Sequence, residues 1–242
     1  MLLRMLILLI SFFVFCFFSN TGFADCRGIG VLVLRSSAVN AEVYEPYLQN
    51  DCLREANLFF AEVDYNPVTA NQIRDLQTIV TVAREAAKTS SRGLVVFAYS
   101  EAGKFAVKLA SLDSNVRALF LMDPVDGTPP FSSPRRFPVF LDGSFPPLRV
   151  PTTILESELG SQFKRLGYSC VPEDMGPKHF YLHVDPEFLN RVLLDDLGHS
   201  DFVRMKKMTL VEWMCGKGII PREQALGRII KIWEDFLMQS AL

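Results

Sequence analysis

Short apolar runs alternate along this chain with segments whose apolar residues recur at every third or fourth position. The apolar runs are too short for helices and predict buried strands at 29–34, 56–63, 94–97, 118–122, 152–155 and 189–194. The periodic segments between them predict helices near Pro46, over 69–88, from Ala102 onwards and over 222–237. Strands that are apolar throughout and alternate with helices are typical of a parallel sheet covered on both faces, so the predicted fold class is α/β.

The periodic segments also predict which side of each helix is buried. In the helix over 69–88 the predicted buried face consists of Ile73, Leu76, Val80, Ala83 and Ala87. In the last helix it consists of Leu226, Ile229, Ile230, Trp233 and Phe236. We expect both faces to pack against the sheet.

The segment 127–150 interrupts this alternation. It is rich in proline and phenylalanine and predicts an irregular loop or lid. The strand pattern resumes after it, so we expect residues 25–242 to form a single domain. Its phenylalanines suit a hydrophobic group of a substrate, with ordinary core packing as the alternative. They are Phe131, Phe137, Phe140 and Phe145.

The first 24 residues have the pattern of a secretory signal. Arg4 provides a positive start, residues 5–18 are largely apolar, and Gly-Phe-Ala at 22–24 places small residues before Asp25. The apolar part is short for a membrane-spanning helix, which needs roughly 20 residues. We therefore predict a cleaved signal peptide and an exported protein, with an uncleaved membrane anchor as the alternative.

Four of the five cysteines lie outside that signal: Cys26, Cys52, Cys170 and Cys215. An even number of cysteines in an exported chain predicts two disulfides, and four cysteines allow three pairings. We favour Cys26–Cys52 with Cys170–Cys215 because these cysteines are nearest in sequence, and four unpaired thiols are the alternative. The spacings match no zinc-binding pattern, so no metal is predicted.

The charge balance excludes one class of partner. The formal net charge is −2, and it becomes −3 without the signal, which contains Arg4 and no acidic residue. Neither value provides the basic surface that nucleic acids require, so we predict no nucleic-acid partner. A membrane enters the prediction only through an uncleaved anchor or as the source of a lipid-like substrate.

Ser100 lies at the junction between a predicted strand and a predicted helix. A serine hydroxyl is a weak nucleophile that needs an adjacent base, which a carboxylate in turn orients. Hydrolases place this serine on a sharp turn after a buried strand, with small residues two positions away on each side. Ala98 and Ala102 occupy those positions. Ser100 is therefore the candidate nucleophile, and a simple helix N-cap is the alternative.

The candidate base is His199. Ligands of parallel sheets bind beyond the carboxyl ends of the strands, and His199 follows the last predicted strand. Its place after Ser100 and an aspartate matches the chain order serine, acid, histidine of such hydrolases. The other histidines, His179 and His183, lie in a long loop where surface or structural roles are expected.

Three carboxylates are candidates for the acid that orients this base. Asp123 ends the strand that follows Ser100 and ranks first. Glu156 follows the next strand and ranks second, and Asp126 ranks third. Turn formation is the alternative for both aspartates, because Asp-Pro and Asp-Gly are common turn dipeptides.

The stretches around these candidates resemble the chlorophyllase family of α/β-hydrolases. Members of that family carry Gly-His-Ser-Arg-Gly-Gly and, later, Asp-Pro-Val-(Asp/Ala)-Gly. Here 98–103 read Ala-Tyr-Ser-Glu-Ala-Gly and 123–127 read Asp-Pro-Val-Asp-Gly. Further similar stretches follow in the family's order at 158–160, 170–173, 197–201 and 215–218, so the resemblance extends to the C-terminus.

The resemblance implies an α/β-hydrolase that cleaves a small-molecule carboxylic ester through an acyl-enzyme and without a cofactor. It implies Ser100 as nucleophile, His199 as general base and Asp123 as the orienting acid. One oxyanion-hole N–H then comes from the residue after the nucleophile, Glu101. The other comes from the loop after the first matched strand, where Ser37 is the candidate donor.

The chain departs from the family at several positions. Ala98 and Ala102 replace two glycines, Glu101 replaces an arginine, and the family's His-Gly after the first matched strand is Arg35-Ser36. A misplaced oxyanion donor lowers the rate by a factor of roughly 100 to 1,000. A carboxylate at residue 101 opposes an anionic transition state if it points inward. An inactive relative that binds a ligand or partner is therefore the alternative function.

The resemblance also implies a shortened sheet. The family's antiparallel strands precede the first matched strand, and the predicted mature chain begins at about that strand. We therefore expect an α/β-hydrolase sheet that is reduced at its N-terminal edge. That edge then needs covering by a partner chain or by the N-terminal segment.

Overall fold

The computed structural model describes residues 26–36, 41–64, 66, 68–127, 135–162, 169–203 and 215–240. The predicted signal segment, residues 1–24, lies outside the described residues, and so do Ser37 and Phe131. The loop predicted over 127–150 is described at Gly127 and again from Arg135.

The described residues form a six-stranded sheet in which every neighbouring pair is parallel. Its strands are β1 (Gly30–Ser36), β2 (Asn57–Val63), β3 (Leu94–Tyr99), β4 (Val116–Met122), β5 (Thr152–Ser157) and β6 (Leu189–Leu194). They lie in the order β2-β1-β3-β4-β5-β6. Each predicted strand is confirmed, and so is the predicted α/β fold class with a parallel sheet.

The helices are α1 (Glu45–Leu48), α2 (Asp51–Glu55), α3 (Gln72–Thr89), α4 (Ala102–Leu112), α5 (Glu158–Gln162), α6 (Pro177–Phe180) and α7 (Arg222–Ser240). Short 3₁₀ turns occupy Ala41–Tyr44, Tyr181–His183, Pro186–Phe188 and His199–Phe202. Pro46 lies in the first turn of α1, as predicted, where its missing N–H interrupts no helical hydrogen bond. Among the described helices, none is both long enough and apolar enough to cross a membrane.

One face of the sheet packs against α7 through an aromatic cluster. The rings of Phe97 and Phe120, on adjacent strands, have their centroids 5.0 and 4.9 Å from that of Trp233. The residues buried along α7 include the predicted Leu226, Ile229, Trp233 and Phe236. The predicted inner face of the last helix is therefore confirmed.

Helix α3 covers the opposite face together with α4, and its predicted inner face is confirmed at four of five positions. Ala83 is fully buried, and Leu76, Val80 and Ala87 are partly buried against this core. The residues buried along α3 are Gln72, Asp75, Ile79, Ala83 and Ala86. The prediction was wrong for Ile73, whose side chain is 57% exposed. The reason is a contact with the end of β2, where the Asp75 carboxylate accepts a hydrogen bond from the Asp64 N–H at 3.1 Å. This bond turns Asp75 inward, and a residue two positions away then points outward.

The loop after β4 packs partly into the interior, since Phe137, Leu141 and Leu148 are buried whereas residues 142–144 are exposed. Phe137 is fully buried. Phe140 meets Phe105 of α4 edge to face at a centroid distance of 5.1 Å, and Phe145 lies 5.4 Å from the ring of His183. Residues 135–150 contain no helix, in agreement with an irregular loop. Core packing, the alternative for these phenylalanines, therefore holds for Phe137 and Phe140.

Within the described residues, the sheet ends at β2 on one side. Two apolar side chains of this strand, Leu58 and Phe60, are 36% and 39% exposed. The guanidinium carbon of Arg35 on β1 lies 4.8 Å from the centroid of the Phe60 ring. Over the described residues, this edge is therefore only partly covered.

Two disulfides join segments that lie outside the strands. Cys26–Cys52 links the segment before β1 to α2, and Cys170–Cys215 links the loop after α5 to the segment before α7. The pairing favoured from sequence proximity is thus the pairing in the structure. Each bridge closes a loop in the unfolded chain, which typically stabilises a fold by about 2–4 kcal/mol.

Replacing Trp233 by alanine should destabilise the protein by about 3–5 kcal/mol, because it leaves a cavity in the aromatic cluster. It also removes the indole N–H that donates to the Tyr47 carbonyl at 3.0 Å. The free energy of unfolding in urea measures the loss. Met238→Ala on the same helix is the control, since Met238 is 43% exposed and should contribute less than about 1 kcal/mol. Equal losses in both variants would contradict a central role of Trp233 in the aromatic cluster.

Candidate active site

Ser100 lies on a sharp turn between β3 and α4. Its φ is +55°, a left-handed conformation that is uncommon for residues other than glycine. Two backbone hydrogen bonds of 2.9 Å hold the turn, from the Ser100 N–H to the Met122 carbonyl and from the Gly103 N–H to the Ser100 carbonyl. Such strain is common at functional sites, where the surrounding structure maintains it.

Small residues around the turn allow the strand and the helix to pack closely. Ala98 and Ala102 are fully buried in the core beneath α4. A Cβ at Gly103 would lie 2.5 Å from the Cβ of Pro124, which is closer than two carbon atoms can approach. The alanines that replace two glycines of the family motif are therefore accommodated, whereas Gly103 is required for steric reasons.

His199 reaches the serine from the turn that follows β6. It begins the 3₁₀ turn His199–Phe202 and is 3% exposed. Its Nε2 lies 3.0 Å from Ser100 Oγ, which is hydrogen-bonding distance. The predicted nucleophile and base are therefore in direct contact, although 99 positions separate them in the chain.

Asp123 contacts the other nitrogen of the imidazole. Its Oδ2 lies 2.7 Å from His199 Nδ1, and the residue is completely buried. Ser157, the last residue of β5, donates its N–H to Oδ1 at 3.0 Å and its hydroxyl to Oδ2 at 2.5 Å. A buried carboxylate is stable when it is paired and hydrogen-bonded, and both conditions are met. The structure thus brings the first-ranked acid to the base.

The other two candidates for the acid make different contacts. Glu156 accepts a hydrogen bond from the Tyr181 hydroxyl at 2.6 Å, and burial, with this bond second, raises the pKa of Tyr181. Asp126 accepts the backbone N–H groups of Phe140 and Leu141 at 3.0 and 2.7 Å. Glu156 therefore holds the loop before β6, and Asp126 anchors the loop after β4.

The two remaining histidines lie beside Asp126. His179 Nε2 is 3.4 Å from Asp126 Oδ2, and the His183 ring centroid is 5.1 Å from that of His179. Burial lowers the pKa of His183, and the neighbouring His179 acts in the same direction. The structural role expected for both histidines agrees with these contacts.

The sequence did not predict Ser157 and Gly160, which complete the surroundings of Asp123. A Cβ at Gly160 would collide with Ser157 Oγ and would lie 3.1 Å from Asp123 Oδ2. Glycine therefore allows α5 to approach the carboxylate. The only signals were positional, since Ser157 ends a strand and Gly160 lies in one of the family-like stretches.

The turn that carries His199 is tied to the segment before α7. The Asp201 carboxylate accepts the N–H groups of Gly198 and Gly218 at 2.9 and 2.5 Å. Gly218 lies shortly after Cys215, whose disulfide joins the loop after α5. One buried carboxylate and one disulfide thus hold the position of the base.

Of the two candidate oxyanion donors, Glu101 lies among the described residues and Ser37 does not. The main chain of Glu101 lies at the N-terminal end of α4, directly after the nucleophile. The partial positive charge of a helix N-terminus favours an anion at this position. Ser37, the second predicted donor, lies outside the described residues.

The side chain of Glu101 lies close to a buried cation. Glu101 is 5% exposed, and Lys104, three residues later on α4, is fully buried. Lys104 Nζ donates to the Pro138 carbonyl at 3.2 Å, which ties the loop after β4 to α4. Burial lowers the pKa of Lys104, and the charges of Glu101 and Asp126 act in the opposite direction. The carboxylate that replaces the family's arginine is therefore partly compensated.

The geometry fits a neutral imidazole with its proton on Nδ1. In this tautomer Nδ1–H donates to Asp123, and Nε2 accepts the Ser100 O–H. As the serine oxygen attacks an electrophilic carbon, Nε2 can take its proton, and the Asp123 charge stabilises the resulting imidazolium. The arrangement is suited to acyl transfer.

A family model described as chlorophyllase matches residues 62–240. The chain belongs to the chlorophyllase family. The match runs from the end of β2 to the end of α7 and contains Ser100, Asp123 and His199. The resemblance predicted from the motifs is confirmed. Family membership and the geometry of these three residues support carboxylic-ester hydrolysis as the reaction class.

Solved structures share the fold of this chlorophyllase-family chain at low identity. Ferulic acid esterase from Streptomyces cinnamoneus has a TM-score of 0.60 and 11% identity, over 88% of this chain and 67% of that one. Est1E from Butyrivibrio proteoclasticus has a TM-score of 0.54 and 11% identity, over 91% of this chain and 90% of that one. One of the metagenome-derived lipolytic enzymes LipS and LipT has a TM-score of 0.57 and 10% identity, over 86% of this chain and 94% of that one. A comparison with curated protein sequences gives no match.

Asp123→Asn should lower kcat on a short-chain ester by a factor on the order of 10³ to 10⁴, because the amide no longer holds His199 in the productive tautomer. Glu156→Gln should lower kcat by less than about tenfold, the equivalent of one hydrogen bond, since Glu156 bonds Tyr181. Steady-state kinetics on the folded variants distinguishes the two residues. A loss confined to Glu156→Gln would show that Glu156 is the acid.

Glu101 and Lys104 should stabilise each other as a buried pair. We expect Lys104→Met to lower the free energy of unfolding by about 3–5 kcal/mol, because it leaves buried carboxylates without their cation. Glu101→Gln in the same chain should recover part of this loss. The interaction energy of the double-mutant cycle, measured in urea, should therefore exceed about 1 kcal/mol.

Glu85 and Lys88 on α3 provide a matched control for this cycle. They have the same spacing and are in contact at 2.7 Å, but their side chains are 64% and 67% exposed. Their interaction energy should not exceed about 0.5 kcal/mol. Equally small values for both pairs would contradict the compensation of Glu101 by Lys104.

Proposed function

We propose that this protein hydrolyses small-molecule carboxylic esters through an acyl-enzyme, with Ser100 as nucleophile, His199 as general base and Asp123 as the orienting acid. The observation that carries the proposal is the continuous chain of contacts from Ser100 Oγ through the imidazole to Asp123 Oδ2, at 3.0 and 2.7 Å. Ser100 is partly exposed, whereas the base and the acid are buried. A substrate can therefore reach the nucleophile while bulk water is kept from the groups that activate it.

In the first half-reaction, Ser100 Oγ forms a bond to the ester carbonyl carbon while its proton passes to His199 Nε2. The carbonyl π electrons move onto oxygen and give a tetrahedral oxyanion. As this intermediate collapses, the bond to the alcohol oxygen breaks, and that oxygen takes the proton from Nε2. In the second half-reaction, water attacks the acyl carbon and gives a proton to His199 Nε2. The bond to Ser100 Oγ then breaks, Oγ takes the proton from Nε2, and the carboxylic acid is released.

We assign the Glu101 N–H as one donor to the oxyanion and retain Ser37 as the second. The place of Glu101 at the start of α4 supports this assignment, since a helix N-terminus favours negative charge. The charge of Lys104 offsets that of the Glu101 carboxylate. The positive charge of Lys104 therefore reduces the repulsion that the Glu101 carboxylate, which replaces the family's arginine, exerts on the oxyanion.

We propose small-molecule carboxylic esters as the substrate class, without specifying the acyl or alcohol group. A hydrophobic substrate group was predicted from the aromatic loop, but Phe137 is fully buried and Phe140 packs on Phe105. These two phenylalanines therefore do not support a substrate contact. Hydrolysis of p-nitrophenyl esters from acetate to palmitate defines the acyl preference.

We also propose that the protein is exported, with residues 1–24 as a cleaved signal peptide. The two disulfides support this proposal, because disulfides persist in oxidising compartments and are rare in the cytosol. An oxidising location maintains the Cys170–Cys215 bridge that ties down the segment next to His199.

A labelled phosphonate that reacts with activated serines tests the proposed nucleophile. Wild-type protein should be labelled in proportion to its concentration, and Ser100→Ala should abolish both labelling and ester hydrolysis, because no other activated hydroxyl replaces Oγ. Ser114→Ala, at an exposed serine after α4, is the control and should be labelled like wild type. Folded wild type that neither labels nor hydrolyses any ester of the series would overturn the proposal. That result would favour a ligand-binding relative without turnover.

A further inference from the structure

Tyr99, the residue before the candidate nucleophile, touches the candidate base in two ways. Its ring stacks on the His199 imidazole with centroids 5.0 Å apart and an interplanar angle of 27°. Its hydroxyl donates to the His199 carbonyl at 2.9 Å. Tyr99 is 2% exposed, so water does not compete for either contact.

We propose that Tyr99 is a positioning residue for His199, an inference that rests on the proposed function. Asp123 contacts the imidazole only at Nδ1. This single hydrogen bond would by itself allow the ring to tilt. The Tyr99 ring restrains one face of the imidazole, and the hydroxyl restrains the backbone that carries it. Together these contacts keep Nε2 directed at Ser100 Oγ, where it lies at 3.0 Å.

The ring of Tyr99 also acts on charge. The face of an aromatic ring is electron-rich and attracts a cation stacked on it. His199 becomes an imidazolium when it accepts the Ser100 proton, so the stacking strengthens as the reaction proceeds. An interaction that is stronger in the transition state than in the ground state raises kcat rather than lowering KM.

The tyrosine is itself held in place. Phe202 stacks on its ring at a centroid distance of 6.3 Å. Burial, followed by the charge of Asp123, raises the pKa of Tyr99 well above its ordinary value. The hydroxyl therefore remains protonated and acts as a donor. The family motif has histidine at this position, so the contact is a feature of this chain.

Tyr47 of α1 provides a matched control, because it bonds the same turn that carries His199. Its hydroxyl donates to the carbonyl of Phe202 at 2.6 Å, and it is fully buried like Tyr99. Its ring packs on Phe97 at 5.3 Å rather than on the imidazole. Removing either hydroxyl deletes one buried hydrogen bond to the turn, but only Tyr99 contacts the base.

The experiment compares Tyr99→Leu, Tyr99→Phe and Tyr47→Phe in the full chain with a p-nitrophenyl ester. Tyr99→Leu should lower kcat by about 10- to 100-fold, the cost of misplacing a reacting group, with KM changed by less than about threefold. Tyr99→Phe keeps the ring and should lose only about two- to tenfold, the equivalent of one hydrogen bond. Tyr47→Phe should keep kcat within about twofold.

Each kcat is divided by the fraction of molecules that the phosphonate labels, so that a loss of folded protein is not counted as a loss of rate. If Tyr99→Leu keeps the corrected kcat of wild type, or if Tyr47→Phe loses as much as Tyr99→Phe, the inference is wrong and the proposed function stands. If wild type itself neither labels nor turns over, the proposed function is wrong, and the inference falls with it.

Discussion

The buried negative charge of Asp123 is the constraint on which the rest of the site depends. A carboxylate without solvent contact costs several kcal/mol, or takes up a proton, unless its oxygens are paired and hydrogen-bonded. Ser157 donates two hydrogen bonds to it and His199 a third, while Gly160 leaves room for them. These partners come from β5, α5 and the turn after β6. The charge therefore couples the assembly of that half of the sheet to the geometry of the base.

On the other side of the nucleophile, residues that differ from the family motif surround a strained turn. Ser100 has a positive φ, and alanines lie two positions away on each side. Both alanines fit into the core beneath α4. The carboxylate of Glu101 is set against Lys104, and Lys104 also bonds the loop after β4. Packing and charge compensation thus accommodate substitutions that, taken singly, oppose the chemistry.

Predictions from local patterns succeeded where the local pattern and the tertiary environment agree. Each apolar run became a strand, because strands of a parallel sheet are buried on both faces and leave a continuous signal. The inner face of α7 was predicted correctly because its apolar residues pack into the hydrophobic cluster on that face of the sheet. The inner face of α3 was predicted correctly at four positions and wrongly at Ile73, in the first turn, where Asp75 instead faces inward and contacts the end of β2. The loop after β4 was recognised as irregular, and the alternative of core packing for its phenylalanines holds for Phe137 and Phe140.

By itself, the sequence determined the order of strands and helices, the candidate nucleophile and base, and the favoured disulfide pairing. These depend on apolar runs, strand ends and proximity along the chain. Only the tertiary structure decided that Asp123 rather than Glu156 meets the imidazole, and that Ser157 and Tyr99 complete the site. The Tyr99–His199 and Ser157–Asp123 contacts join residues 100 and 34 positions apart. They depend on strand register and on the packing of turns across the sheet, which leave no local pattern in the sequence.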